Sequence, residues 1–270
     1  MLMADPARPV KWARLPFLFD AALLRADLSK VNANEWVAHY NQADYSGGWS
    51  GVSLRSTNGS AAQLFTNPSA TEFNPTPVLE RCTYLQEVLS KFECPLKAVR
   101  LLRLEPGSRV LEHTDADLRY EDGELRFHVP IATNPETDFV VGGRRLPLAA
   151  GEAWYIDFSQ PHRIHNRGAT DRIHMVIDAR QNDWSRSVIE GSERPEGTEA
   201  APDSDFETFR QLVYGDEALQ ATLLETPNPE KFFERTAELG RTRGFSFTAT
   251  DVRVAYRAGA RAWMERKAGM

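Results

Sequence analysis

The chain has 270 residues, of which 41% are hydrophobic and 10% are aromatic, so it can fill a sizeable core and is not a disordered protein. Its 32 basic and 38 acidic side chains give a net charge of −6 at pH 7, which excludes a chain-wide basic surface for nucleic acid. The length suits one larger domain, or one domain with a small additional module.

The sequence predicts a cytoplasmic protein that has no membrane partner. Its two cysteines, Cys82 and Cys94, cannot build a disulfide framework and indicate reduced thiols. No apolar run approaches the roughly 20 residues that a membrane-spanning helix needs. The first residues, MLMADPARPVKW, lack the apolar segment of a secretory signal.

Two helices and one short strand are predicted before residue 97. Residues 15–40 are expected to be helical because apolar residues recur there at near-helical spacing, namely Leu23, Leu24, Leu28, Val31 and Trp36. A Gly- and Ser-rich stretch follows, with a strand expected at residues 52–55. Thr76 then begins a second helix, predicted to end near Phe92, because its hydroxyl can cap the helix and the next residue is a proline.

Residues 97–179 have the pattern of a β domain. Short apolar or alternating runs are separated by turn signals such as PGS and GG, and no long helical pattern interrupts them. Strands at this spacing are typical of a sandwich or barrel rather than of a parallel sheet with crossover helices.

The C-terminal part is predicted to be a separate helical module. Residues 191–205 contain no large apolar side chain, so we expect a linker at residues 183–204. Asn228, which precedes a proline, is a helix start, and the last helix is expected to end near Lys267. Residues 205–270 should therefore form a small all-α domain.

Five of the six histidines fall between residues 113 and 174, and neutral imidazole is the commonest metal ligand in proteins. His113 and Asp115 are two residues apart, so on a strand both side chains point to the same face. With a second histidine from a distant strand they would form a facial triad, the ligand set of non-haem Fe(II) oxygenases. Asp117 competes with Asp115, and a surface His–Asp pair without a metal is the alternative.

A second cluster, Arg126-Phe127-His128, is predicted to lie on a strand. Arg126 and His128 share one face, and Phe127 shares the other, packed face with Val129. A buried arginine needs an anionic partner. That partner is either an internal acidic side chain or the carboxylate of a ligand.

A third cluster begins at a polar turn that presents His162, with His165 three residues later. Arg172 follows His162 by ten residues, on a predicted strand where His174 and Val176 share its face. An arginine that points into a β domain indicates an acidic side chain or a dicarboxylate ligand.

Together these motifs resemble the aspartyl/asparaginyl β-hydroxylase family of Fe(II)- and 2-oxoglutarate-dependent dioxygenases, which includes bacterial proline hydroxylases. The resemblance covers about residues 15–180 and follows the order PGSRVLEHTD, LRFHVPI, GEAWYIDFSQPH and DRIHMVIDA. It implies a dioxygenase domain at 1–182. Within it, a mainly β double-stranded β-helix (cupin or jelly-roll) core at about 97–180 would have flanking N-terminal helices.

The resemblance also implies the chemistry. His113, Asp115 and His162 would bind Fe(II), and Arg172 would bind the distal carboxylate of 2-oxoglutarate. The implied reaction uses O2 to hydroxylate an unactivated C–H bond of an amino acid, either free or within a peptide. Succinate and CO2 would be the co-products.

Other residues receive less definite roles. Arg126 and His128 would line the co-substrate or substrate end, whereas His174 departs from the family pattern, in which that position is usually apolar. Arg100 is a candidate for binding a substrate carboxylate, with an ordinary surface arginine as the alternative. Trp49, in a glycine-rich loop, is a candidate lid residue at the substrate site, with core packing as the alternative.

The C-terminal module resembles the short helical domain of nitrogen-fixation-type leader peptides, which implies peptide or leader binding. Three alternatives to the main function stay open. The first is a hydroxylase of free L-proline or another free amino acid. The second is a zinc hydrolase on a cupin barrel, and the third is a non-catalytic, cupin-like protein that binds a metal or a peptide.

Overall fold

A computed structural model describes residues 10–65, 69–115, 118, 120–199, 205–226, 228–245, 247–253 and 255–256. The chain divides into two compact units, Met1–Glu199 and Ala200–Met270. Among the residues described, no helix combines the length and the apolar character that crossing a membrane requires.

The first unit consists mainly of β-strands. The strands are β1 Trp12–Leu18, β2 Val37–Ala38, β3 Tyr45–Ser46, β4 Trp49–Ser56, β5 Asn74–Pro75, β6 Leu96–Leu104, β7 Arg109–His113, β8 Glu124–Ala132, β9 Thr137–Val141, β10 Arg144–Arg145, β11 Glu152–Ile156, β12 His162–Asn166, β13 Arg172–Arg180 and β14 Thr198–Glu199. The helices are α1 Ala21–Leu28, α2 Pro77–Arg81, α3 Thr83–Ser90 and α4 Asp183–Gly191.

These strands form two sheets. The larger sheet has the order β1-β11-β8-β13-β6-β4-β2, with β5 paired to β4, and the smaller sheet has the order β14-β10-β9-β12-β7-β3. The paired strands are antiparallel in both sheets. This arrangement confirms the predicted mainly β core with helices beside it.

The larger sheet separates two hydrophobic clusters. On one face, Phe127 and Met175 pack with helix residues such as Leu24. The opposite face packs against the smaller sheet, where Trp154 of β11 meets Phe139 of β9. Side chains alternate along a strand, so a second set of residues on β8 and β13 faces the smaller sheet. This set consists of Arg126, His128, Arg172, His174 and Asp178.

The N-terminal region is less helical than the sequence predicts. The helix expected at residues 15–40 is instead strand β1 followed by α1, which ends at Leu28. β1 forms because its backbone pairs with β11. Asp20 starts α1 by accepting hydrogen bonds from the backbone N–H groups of Ala22 and Leu23. Long-range strand pairing thus overrides the local helical pattern.

The helix expected to begin at Thr76 and end near Phe92 is interrupted once. Thr76 caps α2 as predicted, but the backbone at Cys82 leaves the helical region, with φ −101° and ψ 76°, before α3 begins. The carboxylate of Asp27 on α1 accepts a hydrogen bond from the backbone N–H of Leu85 at 2.9 Å. A side chain from a different helix therefore satisfies a donor that the interruption exposes.

The segment expected to be a linker, residues 183–204, belongs largely to the first unit. Its first part is α4, whose Ile189 is fully buried in the core, and its later part is β14, which pairs with β10. Between them, Glu193 contacts Arg14 through both backbone and side chain. Because of these contacts, the boundary between the units lies after β14 and not before α4.

The second unit contains the helices α5 Asp205–Gly215, α6 Glu217–Leu224 and α7 Pro229–Arg241, and the described residues 249–253 and 255–256 are also helical. Asn228 caps α7, as its position before a proline predicts, and Phe209 and Phe233 are buried. The predicted end of the last helix, near Lys267, lies outside the described residues. An all-α domain therefore stays a prediction.

Candidate metal centre

Three side chains predicted as metal ligands converge beside the smaller sheet. His113 ends β7 and His162 begins β12, and the two residues are paired in register, so their ring centroids are 4.2 Å apart. The backbone N–H of Asp115 donates to the carbonyl oxygen of Phe158 at 2.9 Å. One nitrogen or carboxylate oxygen from each of the three side chains lies within 4.8 Å of the others.

Backbone carbonyls fix the tautomer of both imidazoles. Nδ1 of His113 lies 2.7 Å from the carbonyl oxygen of Leu111, and Nδ1 of His162 lies 3.0 Å from that of Gln160. A carbonyl oxygen only accepts hydrogen bonds, so each Nδ1 carries a proton, and in the neutral ring Nε2 is the nitrogen that keeps a lone pair for a metal. Burial, followed by the neighbouring His113, lowers the pKa of His162 to about 4. This ring is therefore neutral at neutral pH.

The Asp115 carboxylate is held by Arg126 of β8, whose Nη1 donates to Oδ2 at 2.7 Å. Burial raises the pKa of Asp115, but the charge of Arg126, with smaller contributions from the two histidines, holds that pKa below its usual value. The carboxylate is therefore ionised. Two imidazoles and one carboxylate fit Fe(II) and leave the remaining positions for other ligands.

Sequence reasoning missed Asp178, which holds the arginines beside this triad. Its carboxylate accepts hydrogen bonds from Arg126 at 2.6 and 3.2 Å and from Arg100 at 2.8 Å. Burial raises the pKa of Asp178, but the two guanidinium groups lower it by more, so the group is ionised. The sequence did contain a signal for Asp178, because side chains alternate along a strand and Asp178 therefore lies on the same face of β13 as Arg172.

The structure places Arg100, a predicted substrate-binding residue, within this network. Its Nη1 pairs with Asp178, and its Nε donates to the carbonyl oxygen of Leu64 at 2.7 Å. Only 7% of Arg100 is exposed, so the alternative of an ordinary surface arginine is wrong. Arg103 lies on the other face of β6, with its guanidinium 4.5 Å from the ring centroid of Trp36.

Arg172, the predicted co-substrate ligand, is a buried cation without an acidic partner in the described part of the chain. It is 1% exposed. Its Nη2 donates to Nδ1 of His174 at 2.7 Å, and its Nε has no hydrogen-bond partner there. Burial lowers the pKa of Arg172 to about 9, which leaves it charged at neutral pH. A buried, unpaired cation fits an anionic ligand.

His128 is buried on the same face of the larger sheet as Arg172. Its ring stacks on Phe158, with centroids 5.0 Å apart, and Phe158 packs edge-on against His162 at 4.6 Å. Burial, followed by the charge of Arg172, holds the pKa of His128 well below its usual value. His128 is therefore neutral, and Phe158 bridges it to one of the predicted metal ligands.

Trp49 lies at the start of β4, in an aromatic stack. The ring of His39 lies between Trp49 and Tyr40, with centroid distances of 3.5 and 4.5 Å. Tyr40 meets Phe65 edge-on at 5.5 Å, and both of these residues are 57% exposed. Sequence reasoning missed this role of His39 because it lies outside the histidine-rich segment. A lid role for Trp49 stays a prediction.

Of the two alternatives to the predicted ligands, His165 can be placed. His165 lies on the opposite face of β12 from His162, by the alternation of a strand. It is absent from the ligand group formed by His113, Asp115 and His162, which was identified among the described residues. Asp117 lies outside those residues.

Comparison with known proteins decides the family. The sequence profile of the family described as aspartyl/asparaginyl beta-hydroxylase matches residues 19–182. The chain belongs to this family. Among its relatives, the L-proline cis-4-hydroxylase of Rhizobium meliloti (strain 1021) is 24% identical over 200 residues, which are 73% of this chain and 70% of that protein.

Solved structures similar to this β-hydroxylase family member have low sequence identity to it. An oxidoreductase of the 2OG-Fe(II) oxygenase family from Burkholderia pseudomallei has a TM-score of 0.43 and 16% identity, over 64% of this chain and 87% of that one. A Pseudomonas putida prolyl-4-hydroxylase has a TM-score of 0.39 and 13% identity, over 64% of this chain and 93% of that one.

Membership of the β-hydroxylase family makes the protein a 2-oxoglutarate-dependent hydroxylase, which uses Fe(II), 2-oxoglutarate and O2. The alternative of a non-catalytic binding protein is therefore not favoured. The donor set of the triad fits this iron. The unpaired guanidinium of Arg172 likewise fits a co-substrate that has a free carboxylate.

Proposed function

We propose that the protein hydroxylates an unactivated C–H bond of an amino acid, either free or as a residue of a peptide. In this proposal His113, Asp115 and His162 bind Fe(II), and Arg172 binds the distal carboxylate of 2-oxoglutarate. The observation that carries it is the buried guanidinium of Arg172, which has no acidic partner in the described chain. A zinc hydrolase has no use for such a cation.

We also assign the sheets of residues 97–180 to a double-stranded β-helix.

The chain's own residues bind and orient the metal and the co-substrate, and they exclude water from the site. When bound, the iron supplies O2 activation coupled to the decarboxylation of 2-oxoglutarate to succinate and CO2. The two imidazoles and the ionised Asp115 leave positions at the metal for these ligands. Phe139 and Phe158 both contact the ring of His128. This packing keeps water away from the layer that holds Arg172.

The identity of the substrate is the finer part of the proposal. The relative from Rhizobium meliloti acts, by its name, on L-proline. Free L-proline or another free amino acid is therefore the alternative to an aspartyl or asparaginyl residue of a peptide. We assign Arg126 and His128 to the co-substrate or substrate end. Trp49, through its aromatic stack, and Arg100, through its ion pair, are assigned to the substrate side.

We further propose that the second unit binds a peptide, such as a leader segment of the substrate. The resemblance of residues 205–270 to leader-peptide domains supports this assignment. Exposed apolar side chains on the described helices, Leu212, Tyr214 and Leu224, provide contact area for such a peptide. Equal turnover of one substrate peptide with and without its leader segment would contradict it.

Anaerobic addition of Fe(II) and 2-oxoglutarate tests the metal and co-substrate site directly. We expect a visible charge-transfer band from the keto acid bound to iron, and we expect His113→Ala to abolish it. Retention of zinc, with no response to 2-oxoglutarate, would instead favour a hydrolase. This measurement needs no knowledge of the substrate.

The substrate class is tested by product analysis. We expect O2-dependent release of succinate together with a mass gain of one oxygen on a substrate from a panel of free amino acids and Asp- or Asn-containing peptides. Turnover of free proline alone would contradict the peptide interpretation. Failure of the whole panel, with the charge-transfer band intact, would contradict an amino-acid substrate.

A further inference from the structure

Two buried arginines of the larger sheet differ in the groups that accept their hydrogen bonds. Arg126 contacts two carboxylates, those of Asp115 and Asp178. Within the described chain, Arg172 contacts none, and the hydrogen bond from its Nη2 goes to Nδ1 of His174 at 2.7 Å. An uncharged acceptor satisfies a guanidinium N–H but leaves the positive charge uncompensated.

The contacts of His174 fix its protonation. Nδ1 accepts the hydrogen of Arg172, so the ring proton lies on Nε2, which is buried without a partner in the described chain. The same Nδ1 lies 3.3 Å from Nδ1 of His128, which is then the donor of that contact. Burial, followed by the charge of Arg172 and the neighbouring His128, holds the pKa of His174 well below its usual value. The imidazole is therefore a neutral acceptor shared by two buried donors.

We propose that His174 is a positioning residue for the co-substrate, which holds the guanidinium of Arg172 in place and leaves its charge for the distal carboxylate of 2-oxoglutarate. This inference rests on the proposed role of Arg172. An apolar side chain at this position would leave Nη2 buried without an acceptor. A carboxylate would neutralise the cation, as Asp178 does for Arg126.

Three substitutions of His174 separate these effects. His174→Leu removes the acceptor at similar volume, His174→Asn keeps an acceptor oxygen near the place of Nδ1, and His174→Asp adds a charge. We expect the Kd for 2-oxoglutarate to rise about 10-fold in His174→Leu and further in His174→Asp, and to stay within about 3-fold in His174→Asn.

Binding is measured calorimetrically, with the full chain loaded with Mn(II), so that no turnover is needed. The comparison ligand is pyruvate, which has the keto-acid group but no distal carboxylate, with displacement titrations to follow its weaker binding. We expect His174→Leu to weaken 2-oxoglutarate and to leave pyruvate unchanged, because only the first ligand reaches Arg172. A merely structural role for His174 would weaken both ligands alike.

The outcomes distinguish this inference from the proposed function. If Arg172→Met leaves the affinity for 2-oxoglutarate unchanged, the proposed role of Arg172 fails, and the inference fails with it. If Arg172→Met weakens binding but His174→Leu does not, or if pyruvate weakens equally, only the role of His174 is overturned. If His174→Leu does not fold, the contrast between His174→Asn and His174→Asp decides, and equal affinities overturn the inference.

Discussion

At the scale of single residues, β12 offers two histidines for a matched test. His162 lies with the ligand group, whereas His165 lies on the opposite face of the strand. We expect His162→Ala to weaken Fe(II) binding by at least about 100-fold, because changes to residues that merely surround metal ligands already cost up to about 100-fold. We expect His165→Ala to retain Fe(II) binding. Anaerobic competition with an Fe(II) chelator measures both. Equal losses would remove His162 from the site.

Asp178 is expected to contribute more to the free energy of unfolding than Asp138, an acidic residue near the surface that also pairs with two arginines. Asp178→Asn removes one side of a largely buried ion-pair network, which costs about 3–5 kcal/mol. The control is Asp138, which pairs with Arg145 and Arg167 near the surface; Asp138→Asn should cost about 1 kcal/mol or less. Denaturation by urea compares the two variants, and similar losses would argue against a buried network.

Alternation along the strands predicted much of the site from the sequence. It placed Arg126 and His128 on one face of their strand and Arg172 on a face that points into the β domain, and the structure has all three facing the smaller sheet. It did not identify their partners, because local patterns do not say which strands are neighbours. Asp178 reaches Arg100 because β13 pairs with β6.

At the scale of secondary-structure elements, the cap of α2 is expected to stabilise the first unit. Thr76 is fully buried; its Oγ1 accepts from the N–H of Leu79 at 3.4 Å and donates to the carbonyl of Ser53 at 2.8 Å. Thr76→Ala should lower the free energy of unfolding by about 1–2 kcal/mol. Thr83→Ala, at the exposed start of α3, should change it by less than about 0.5 kcal/mol. Thermal unfolding measures both, and equal shifts would contradict the cap.

Strands were predicted more accurately than the ends of helices. The strands β6 to β11 and β13 lie where the apolar or alternating runs indicated them, and the strand expected at 52–55 is the middle of β4. Strand β12 was missed, because His162 was expected in a polar turn. The helical predictions failed at β1, at the interruption before α3 and at α4 in the expected linker. Each of these is decided by a distant contact, with β11, Asp27 and the core respectively. No local periodicity contains that information.

At the scale of the whole molecule, buried neutral histidines make stability depend on pH. Burial lowers the pKa values of His39, His128 and His174, that of His39 to about 3, whereas each group titrates near about 6.5 in the unfolded chain. Below about pH 6.5 the unfolded state therefore binds protons that the folded state does not. The free energy of unfolding should then fall by up to about 1.4 kcal/mol per pH unit for each histidine, until the folded-state pKa is reached.

Urea denaturation of the metal-free protein between about pH 7.5 and about pH 5.5 measures this dependence. His39→Phe keeps a ring in the aromatic stack and removes one titrating group, so its stability should fall less steeply on acidification. A wild-type stability that is constant or rises over this range would contradict the neutral state of these histidines.

The two ends of the first unit are fastened to each other. Nε1 of Trp12 donates to the carbonyl of Pro195 at 2.7 Å, and the backbone N–H of Arg14 donates to that of Glu193 at 2.8 Å. During translation Trp12 is made 183 residues before its partner, an interval on the order of 10–40 s at ribosomal speeds of about 5–20 residues per second. Trp12 and Arg14 can therefore form these two hydrogen bonds only after nearly all of the first unit has been synthesised.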